Sequence, residues 1–127
     1  KGRSVRVHGC TVSSGQVVGP PRKGRKVVFS GDTRKCTSVI KLAETADVLV
    51  HDCTLDSTHS DIAKRFGHST AREAAEVAKA ARVGMLFLLH ISPRYDDTEV
   101  LLREARRVFR KSAVPEELSE HEVRLRP

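Results

Sequence analysis

Short apolar runs alternate with helix-like patterns along most of this chain. Continuous apolar residues predict strands over residues 26–30, 48–50 and 85–89. Runs this short and this apolar are typical of strands that are covered on both faces of a sheet. Each run is followed by polar residues and then by a helical pattern, which is the order expected of β-α-β units.

Four segments show helical patterns. Apolar residues at helical spacing predict helices over residues 37–46 and 97–111, and residues 55–66 allow a short helix. The clearest signal covers residues 70–81, because Thr70 and Glu73 have the spacing of a capping box. The predicted inward positions are Val39, Ile40, Leu42 and Ala43 in the first helix, Ala71, Ala74, Ala75, Val77, Ala78 and Ala81 in the capped helix, and Val100, Leu101, Ala105 and Val108 in the last.

The two ends of the chain are less regular. Residues 4–7 and 16–18 predict short strands, residues 19–24 predict a loop rich in glycine and proline, and residues 122–125 predict a terminal strand. Together the elements predict a layered α/β fold in one domain of 127 residues.

The composition is that of a soluble globular chain. Hydrophobic residues make up 39% and charged residues 31%, and no apolar run approaches the about 20 residues of a membrane helix. Cys10, Cys36 and Cys53 are an odd number without C-x-x-C spacing, so they favour neither a disulfide framework nor a structural zinc knuckle. This usage favours a reducing cytoplasm, and we expect Cys36 and Cys53 to pack as small apolar groups.

The charge favours a polyanionic partner. Lysine and arginine outnumber aspartate and glutamate by 23 to 16, which gives a net charge of +7 and would attract such a substrate. Aromatic residues are only 4% of the chain, which argues against a surface that binds single strands by base stacking. A nucleic-acid partner would therefore be held mainly through its backbone.

Four short polar clusters stand at the ends of predicted strands or the start of a helix. Asp32, Asp52 and His90 each follow an apolar strand, and His68 precedes the capped helix. Carboxylates and neutral imidazoles bind divalent metals such as zinc and perform acid/base chemistry near neutral pH. Because functional groups gather where the strands of such sheets end, we expect these four side chains to converge on one rim. The clusters are Ser30-Gly31-Asp32-Thr33-Arg34, His51-Asp52-Cys53-Thr54, Gly67-His68-Ser69-Thr70 and His90-Ile91-Ser92-Pro93-Arg94-Tyr95.

Each of these residues also has a structural interpretation. Asp32 lies in a Gly-Asp-Thr sequence that is typical of a turn or a helix cap. A single histidine after an apolar strand is often structural, and we expect this of His51. The sequence contains no His-x-His or His-Glu-x-x-His group that would complete a metal site.

Taken together, the clusters resemble the C-terminal half of the ribonuclease Z family, the tRNA 3′-end processing endonucleases of the metallo-β-lactamase superfamily. The clusters around His68 and His90 match the family's Gly-His-Ser-Thr and His-x-Ser-x-Arg-Tyr motifs. Residues 19–26, running into the Asp32 cluster, are similar to the approach to that family's bridging aspartate. Asp52 stands where the family usually has a glutamate, in His-Glu-Ala-Thr, and is one methylene shorter. The resemblance covers essentially the whole chain.

The resemblance implies a role for six residues. Asp32 would be a carboxylate shared by two zinc ions, and His90 a terminal zinc ligand. Asp52 would orient and polarise His68, which would donate a proton to the departing 3′ oxygen as a general acid. Ser92 and Arg94 would contact a substrate phosphate beside the metals, although Arg94 can equally pair with an acidic neighbour.

The resemblance also implies that residues 1–127 form only the C-terminal half of a metallo-β-lactamase domain. The complete fold is an αββα sandwich, so this half would hold one mixed sheet flanked by helices. The His-x-His-x-Asp-His motif belongs to the N-terminal half, which this sequence lacks, and the chain begins at Lys1 rather than methionine. We therefore expect a fragment that binds zinc poorly and does not cleave RNA by itself. Its exposed apolar face would bind the missing half or a second copy of the chain.

Three functions remain open at this point. The first is a zinc-dependent endoribonuclease that removes 3′ trailers from tRNA precursors in the cytoplasm. The second is another hydrolase or phosphodiesterase of the metallo-β-lactamase fold. The third is a non-catalytic fragment that binds RNA or a partner through its basic surface.

Overall fold

A computed structural model describes residues 2–20 and 23–124 of the chain. Pro21 and Arg22, in the predicted loop over residues 19–24, lie outside the described residues. The elements in chain order are β1 (Val5–Val7), β2 (Cys10–Val12), α1 (Ser14–Val17), β3 (Val27–Phe29), α2 (Thr37–Leu42), β4 (Val48–Asp52), a 3₁₀ turn (Ser57–His59), α3 (Ser60–Phe66), α4 (Ala71–Ala80), β5 (Met85–Leu89), α5 (Glu99–Val108) and β6 (Ser112–Ala113).

The central sheet has four strands in the order β3-β4-β5-β6, and every neighbouring pair is parallel. Each strand is connected to the next through at least one helix, as parallel pairing requires. The expectation of a mixed sheet is therefore wrong for the described strands. Among the described strands, antiparallel pairing is found only in the separate β1-β2 hairpin, whose two-residue turn, His8-Gly9, has positive φ at both positions.

The helices cover one face of this sheet. Because the strand order advances in one direction, right-handed crossovers place every connecting helix on the same side. On that side Leu49, Leu86 and Leu88 are fully buried. The opposite face carries Val27 and Phe29, which are 57% and 66% exposed. The expectation of burial on both faces is therefore wrong for β3, whereas β4 is buried at every position except Val50, which is partly exposed.

Helix α4 lies against the sheet because its inner face is made of small residues. Thr70 caps the helix by accepting a hydrogen bond from the Glu73 N–H, and the Glu73 carboxylate accepts one from the Thr70 N–H. The capping box predicted from the sequence is thus present. The predicted inward residues are all buried: Ala71, Ala74, Ala75, Val77, Ala78 and Ala81.

Helices α2 and α5 are shorter than the sequence predicts. Helix α5 starts at Glu99, whose N–H donates to Asp97, and ends before Phe109, where the backbone becomes extended towards β6. Leu42 and Val100, predicted to point inward, are 57% and 44% exposed. Both lie on the borders of the apolar stripe, where periodicity alone does not separate a buried from an exposed position.

The predictions at the two ends of the chain are partly wrong. Residues 16–18 do not form a strand, because Ser13 and Gln16 form a capping box that starts helix α1. The partner of β1 is instead β2. At the other end β6 completes the sheet, residues 122–124 form no strand, and Leu125 lies outside the described residues.

The helices of the described part are also too short to cross a membrane. The longest two, α4 and α5, have ten residues each, and none combines the length and apolarity that a spanning helix needs.

The packing of α4 gives a stability prediction. Replacing Ala78, which is fully buried, with leucine is expected to lower the free energy of unfolding by about 1–3 kcal/mol, because three extra heavy atoms must enter a filled interface. Ala80→Leu, at an exposed position of the same helix, is the matched control and should change stability by less than about 0.5 kcal/mol. Urea unfolding of both variants measures the difference, and equal midpoints would contradict this packing.

Candidate active site

Four side chains that the sequence singled out meet at the carboxyl ends of the parallel strands. Asp52 is the last residue of β4, His90 follows β5, Asp32 follows β3 and His68 precedes α4. An oxygen of Asp52 lies 2.8 Å from His68 Nδ1, and Asp32 Oδ2 lies 3.4 Å from His90 Nε2. The two imidazole rings stack with centroids 4.9 Å apart. The expected convergence on one rim is therefore present.

The Asp52 carboxylate is the centre of this arrangement. Its side chain has no exposed surface. Oδ1 accepts hydrogen bonds from the N–H of Thr54 at 2.9 Å and from the Thr54 hydroxyl at 2.7 Å. Oδ2 accepts from the N–H of Thr33 at 3.0 Å and from His68 Nδ1 at 2.8 Å. Four donors from three chain segments thus compensate a carboxylate that is removed from water.

His68 is held by the two helices on either side of it. Gly67 ends α3 in the left-handed conformation, with φ of 81°, and this allows the chain to turn towards the sheet. The N–H of His68 donates to the carbonyl of Ala63, and Ser69, which is buried, donates its hydroxyl to the carbonyl of Thr33. Thr70 then caps α4. Each residue of the Gly-His-Ser-Thr cluster therefore has a defined local role.

One ring nitrogen of His68 is hydrogen-bonded to Asp52, and the other is free. Because a carboxylate only accepts, Nδ1 carries a proton and donates it to Asp52. This leaves Nε2 as the nitrogen that exchanges a proton with the surroundings, and 23% of the side chain is exposed. The pair has the form of a general acid with a carboxylate behind it.

Asp32 and His90 have the spacing of two ligands of one zinc ion. For metal–ligand bonds of about 2.0–2.1 Å, two ligands of a tetrahedral zinc are about 3.4 Å apart. Asp32 Oδ2 and His90 Nε2 are separated by 3.4 Å. Their side chains are 63% and 47% exposed, and an ion pair at such an exposed position contributes little to stability. The arrangement therefore fits a metal site better than a structural contact.

Asp52, His68 and His90 also form a group whose potential ligand atoms lie within 4.8 Å of one another. However, both oxygens of Asp52 already accept two hydrogen bonds each. Asp52 therefore has little capacity left for a metal, whereas Asp32 and His90 face each other from exposed side chains. Two protein ligands are fewer than the about four that zinc takes, so within residues 2–20 and 23–124 this pair alone would not complete a zinc site.

The loop after His90 carries the two residues expected to contact substrate. The N–H of Ser92 donates to the carbonyl of Thr54, and the Ser92 carbonyl accepts from the N–H of Tyr95. Arg94 is exposed and forms no ion pair with any residue of the two described ranges. The alternative that Arg94 pairs with an acidic neighbour is therefore not seen there.

Two neighbours of Asp52 are structural. His51 is buried and its Nδ1 donates to the backbone carbonyl of Asp52, while burial lowers the pKa of its ring. Its Nε2 has no hydrogen-bond partner among the described residues. Cys53 is fully buried, and burial raises the pKa of its thiol. Cys36 is half-buried against the core, and a hydrogen bond with Ser38 lowers the pKa of its thiol.

The sequence analysis assigned no role to Thr54. Its hydroxyl lies between Asp52 Oδ1, at 2.7 Å, and His90 Nδ1, at 2.9 Å. The local signal was present in the Asp-x-Thr spacing, because an aspartate often binds the N–H two residues later in an Asx turn. The contact with His90 joins residues 36 positions apart, and no local pattern indicates it.

The rim is open rather than enclosed. The cavity beside Asp32, Asp52 and His90 holds only about 20 Å³. A larger cavity of about 520 Å³ lies near Asp47 and His121 and contains none of the four clustered residues. We place the candidate site at the small cavity because the acid/base and metal-binding groups converge there.

Comparison with known proteins identifies the family. A model of the beta-lactamase superfamily domain matches residues 4–91, a range that includes Asp32, Asp52, His68 and His90. The chain belongs to the beta-lactamase superfamily. The α/β fold expected from the sequence is thereby confirmed.

Individual members of the superfamily support the resemblance noted in the sequence. The ribonuclease Z of Methanothermobacter thermautotrophicus is 52% identical over 124 residues, which are 98% of this chain and 40% of that protein. The crystal structure of human tRNase Z, short form, has a TM-score of 0.62 at 27% identity, over 98% of this chain and 42% of that one. The metallo-beta-lactamase fold protein YhfI from Bacillus subtilis has a TM-score of 0.64 at 30% identity, over 69% and 35%.

The resemblance to ribonuclease Z is therefore confirmed. The chain spans about 40% of the length of the two ribonuclease Z relatives described here.

The hydrogen bonds of Asp52 predict a contrast between two aspartates. Asp52→Asn would place an amide N–H₂ against two of the four donors and should lower the free energy of unfolding by about 1–3 kcal/mol. Asp32→Asn, at an exposed side chain of the same rim, should change it by less than about 0.5 kcal/mol. Urea unfolding in the presence of a chelator tests this. An equal effect of the two substitutions would contradict the buried role of Asp52.

A second Asp-x-Thr turn follows and gives a pH prediction. Asp56 is buried, which opposes its ionisation, but hydrogen bonds from Thr58, His59 and Tyr95 outweigh burial and lower its pKa to about 2. A lowered carboxyl pKa gives stability that is present above the unfolded pKa of about 3.9 and is lost as the pH falls through the folded pKa.

We therefore expect the stability advantage of the wild-type chain over Asp56→Asn to shrink by about 2 kcal/mol between pH 5 and pH 2. Asparagine retains the ability to cap the following turn and is thus a conservative replacement. Urea midpoints at several pH values measure the difference. A difference that does not vary over this range would show that the Asp56 carboxyl is not held in its ionised form.

Proposed function

We propose that this chain provides part of a zinc-dependent endoribonuclease that removes 3′ trailers from tRNA precursors. The observation that carries the proposal is the Asp52–His68 pair, whose imidazole stacks on that of the Asp32–His90 pair. The first pair has the form of a proton donor and the second that of a metal-binding pair. A ribonuclease Z that is 52% identical over 98% of the chain supports this choice of reaction.

Asp32 and His90 are the residues that would hold zinc. Zinc accepts carboxylate oxygen and imidazole nitrogen, and these are the two atoms that lie 3.4 Å apart on the rim. When bound, zinc would supply an activated water and stabilise negative charge on the attacked phosphate. The two exposed side chains leave space on the solvent side for further ligands and for the substrate.

Asp52 and His68 would supply the proton. Asp52 fixes the proton on Nδ1 of His68 and stabilises the ring when it is an imidazolium. Nε2 of that imidazolium would then donate its proton to the 3′ oxygen that leaves. The shorter side chain of aspartate does not prevent the contact, because Asp52 reaches His68 at 2.8 Å.

Ser92 and Arg94 would bind a phosphate of the RNA. The Arg94 guanidinium is exposed and can offer two parallel donors to phosphate oxygens. The backbone around Ser92 is fixed to the site through the carbonyl of Thr54. The net charge of +7 would increase the rate of association with tRNA, a polyanion.

The remaining zinc ligands would come from another polypeptide segment. The chain spans 40% of the length of its ribonuclease Z relative, and Asp32 and His90 alone do not complete a site. The sheet face with Val27 and Phe29 exposed is an apolar surface that would bind the complementary half of the domain or a second copy of this chain. The three cysteines are free thiols, which supports a reducing compartment such as the cytoplasm.

A chimera tests this function directly. The 124 matched residues of the Methanothermobacter thermautotrophicus ribonuclease Z are replaced with this chain, and zinc content and 3′ cleavage of precursor tRNA are measured. We expect zinc-dependent cleavage by the chimera, while the 127-residue chain alone holds less than one zinc per molecule and does not cleave.

In the chimera, His68→Ala should lower the cleavage rate by a factor of about 10²–10⁴ without changing zinc content, since general acid catalysis contributes that much. Asp32→Ala and His90→Ala should lower zinc content.

The control variant is His121→Ala, at an exposed histidine away from the rim, which should retain full cleavage. A zinc-loaded chimera that hydrolyses small phosphodiesters but not precursor tRNA would favour another hydrolase of the superfamily. A chimera that binds tRNA in a salt-dependent manner, without cleavage and without response to a chelator, would favour a non-catalytic binding role. Either result would overturn the proposed function.

A further inference from the structure

The hydroxyl of Thr54 connects the two pairs of the site. It lies 2.7 Å from Asp52 Oδ1 and 2.9 Å from His90 Nδ1. We propose that Thr54 is a positioning residue whose hydroxyl determines which ring nitrogen of His90 is free to bind a metal ion. The inference deepens the proposed function, because it rests on His90 being a metal ligand.

The number of protons on these atoms determines the direction of each hydrogen bond. The Thr54 hydroxyl has one proton, and the Asp52 carboxylate can only accept it. Thr54 must therefore accept from His90, so that Nδ1 of His90 carries the proton. In a neutral imidazole, a proton on Nδ1 leaves the lone pair on Nε2. Nε2 is the nitrogen that faces Asp32 Oδ2 at 3.4 Å.

Without this hydroxyl, Asp32 would favour the opposite tautomer. A proton on His90 Nε2 could be donated to the nearby carboxylate oxygen of Asp32, which is an acceptor. That proton would occupy the position through which His90 binds a metal. Thr54 therefore counteracts a tautomer that the other metal ligand, Asp32, would itself stabilise.

The backbone supports the same role for Thr54. His90 has a φ of 60°, a left-handed conformation that is strained for a residue with a side chain. The chain is fixed on both sides of it: the Cys53 N–H donates to the carbonyl of Leu89, and the Ser92 N–H donates to the carbonyl of Thr54. Thr54 thus contacts the His90 loop through both its side chain and its main chain. These backbone hydrogen bonds hold the His90 ring next to the Thr54 hydroxyl.

The chain contains a matched control for this contact. Thr58 donates its N–H and its hydroxyl to Asp56 Oδ1, two residues earlier, in the same way that Thr54 does to Asp52 Oδ1. Thr58 has no hydrogen bond to His90 among the described residues. Thr54→Val and Thr58→Val therefore remove the same local hydrogen bond, and only the first removes the contact with His90.

The first experiment measures the His90 tautomer by ¹⁵N NMR in the metal-free 127-residue chain at alkaline pH. We expect predominantly the Nδ1–H form in the wild type, Thr54→Ser and Thr58→Val. Thr54→Val should change the majority to the Nε2–H form. Retention of the Nδ1–H form in Thr54→Val, or a change in Thr58→Val, would overturn the proposal. Thr54→Ala also removes the hydroxyl, and it provides the same test if the valine variant does not fold.

The second experiment measures zinc affinity of the chimera with the same substitutions. Loss of a group that orients a metal ligand typically weakens metal binding by about 10–100-fold, and this is expected for Thr54→Val. Thr54→Ser and Thr58→Val should bind zinc within about threefold of the unsubstituted chimera. Equal weakening in Thr54→Ser and Thr54→Val would overturn the proposal, since the hydroxyl would then not be the cause. The NMR measurement of the tautomer does not depend on RNA cleavage. A chimera that fails to cleave precursor tRNA would therefore refute the proposed function without refuting this inference.

Discussion

The buried carboxylate of Asp52 is the interaction on which the site depends. A carboxylate without solvent exposure is stable only when its oxygens are fully hydrogen-bonded. Its four donors come from the segment after β3, from the turn after β4 and from the segment before α4. Satisfying one charge therefore fixes three chain segments relative to one another. The same geometry brings the free nitrogen of His68 beside the ring of His90.

The parallel sheet explains why these segments are available at one place. Strand β4 lies between β3 and β5, so the residues that follow all three strands emerge at one edge. The crossovers place the helices on the sheet face that carries Leu49 and Leu86, and α4 begins shortly after His68. The helical face therefore stabilises the fold, while the strand ends carry the chemistry. On the second sheet face Val27 and Phe29 of β3 remain apolar and exposed.

The features that the sequence predicts correctly are those with local causes. Apolar runs place β4 and β5, and the Thr70–Glu73 spacing places the start of α4. The convergence of Asp32, Asp52, His68 and His90 follows from the rule that strand ends meet at one edge. What local pattern does not contain is the strand order, and hence that all crossovers pass on one side and leave the other sheet face without helices. It also lacks the link between Thr54 and His90, since that contact depends on the pairing of β4 with β5.

The short side chain of Asp52 determines how its carboxylate is held in the site. Because Asp52 has a single methylene, Oδ1 can close an Asx turn with the N–H of Thr54, and this anchors the carboxylate to its own strand end. The second oxygen is then directed towards Thr33 and His68. A glutamate has one more rotatable bond, and its carboxylate would have to be oriented mainly by distant partners. The local turn therefore fixes the orientation of the shorter Asp52 side chain. It also places the Thr54 hydroxyl where it contacts His90.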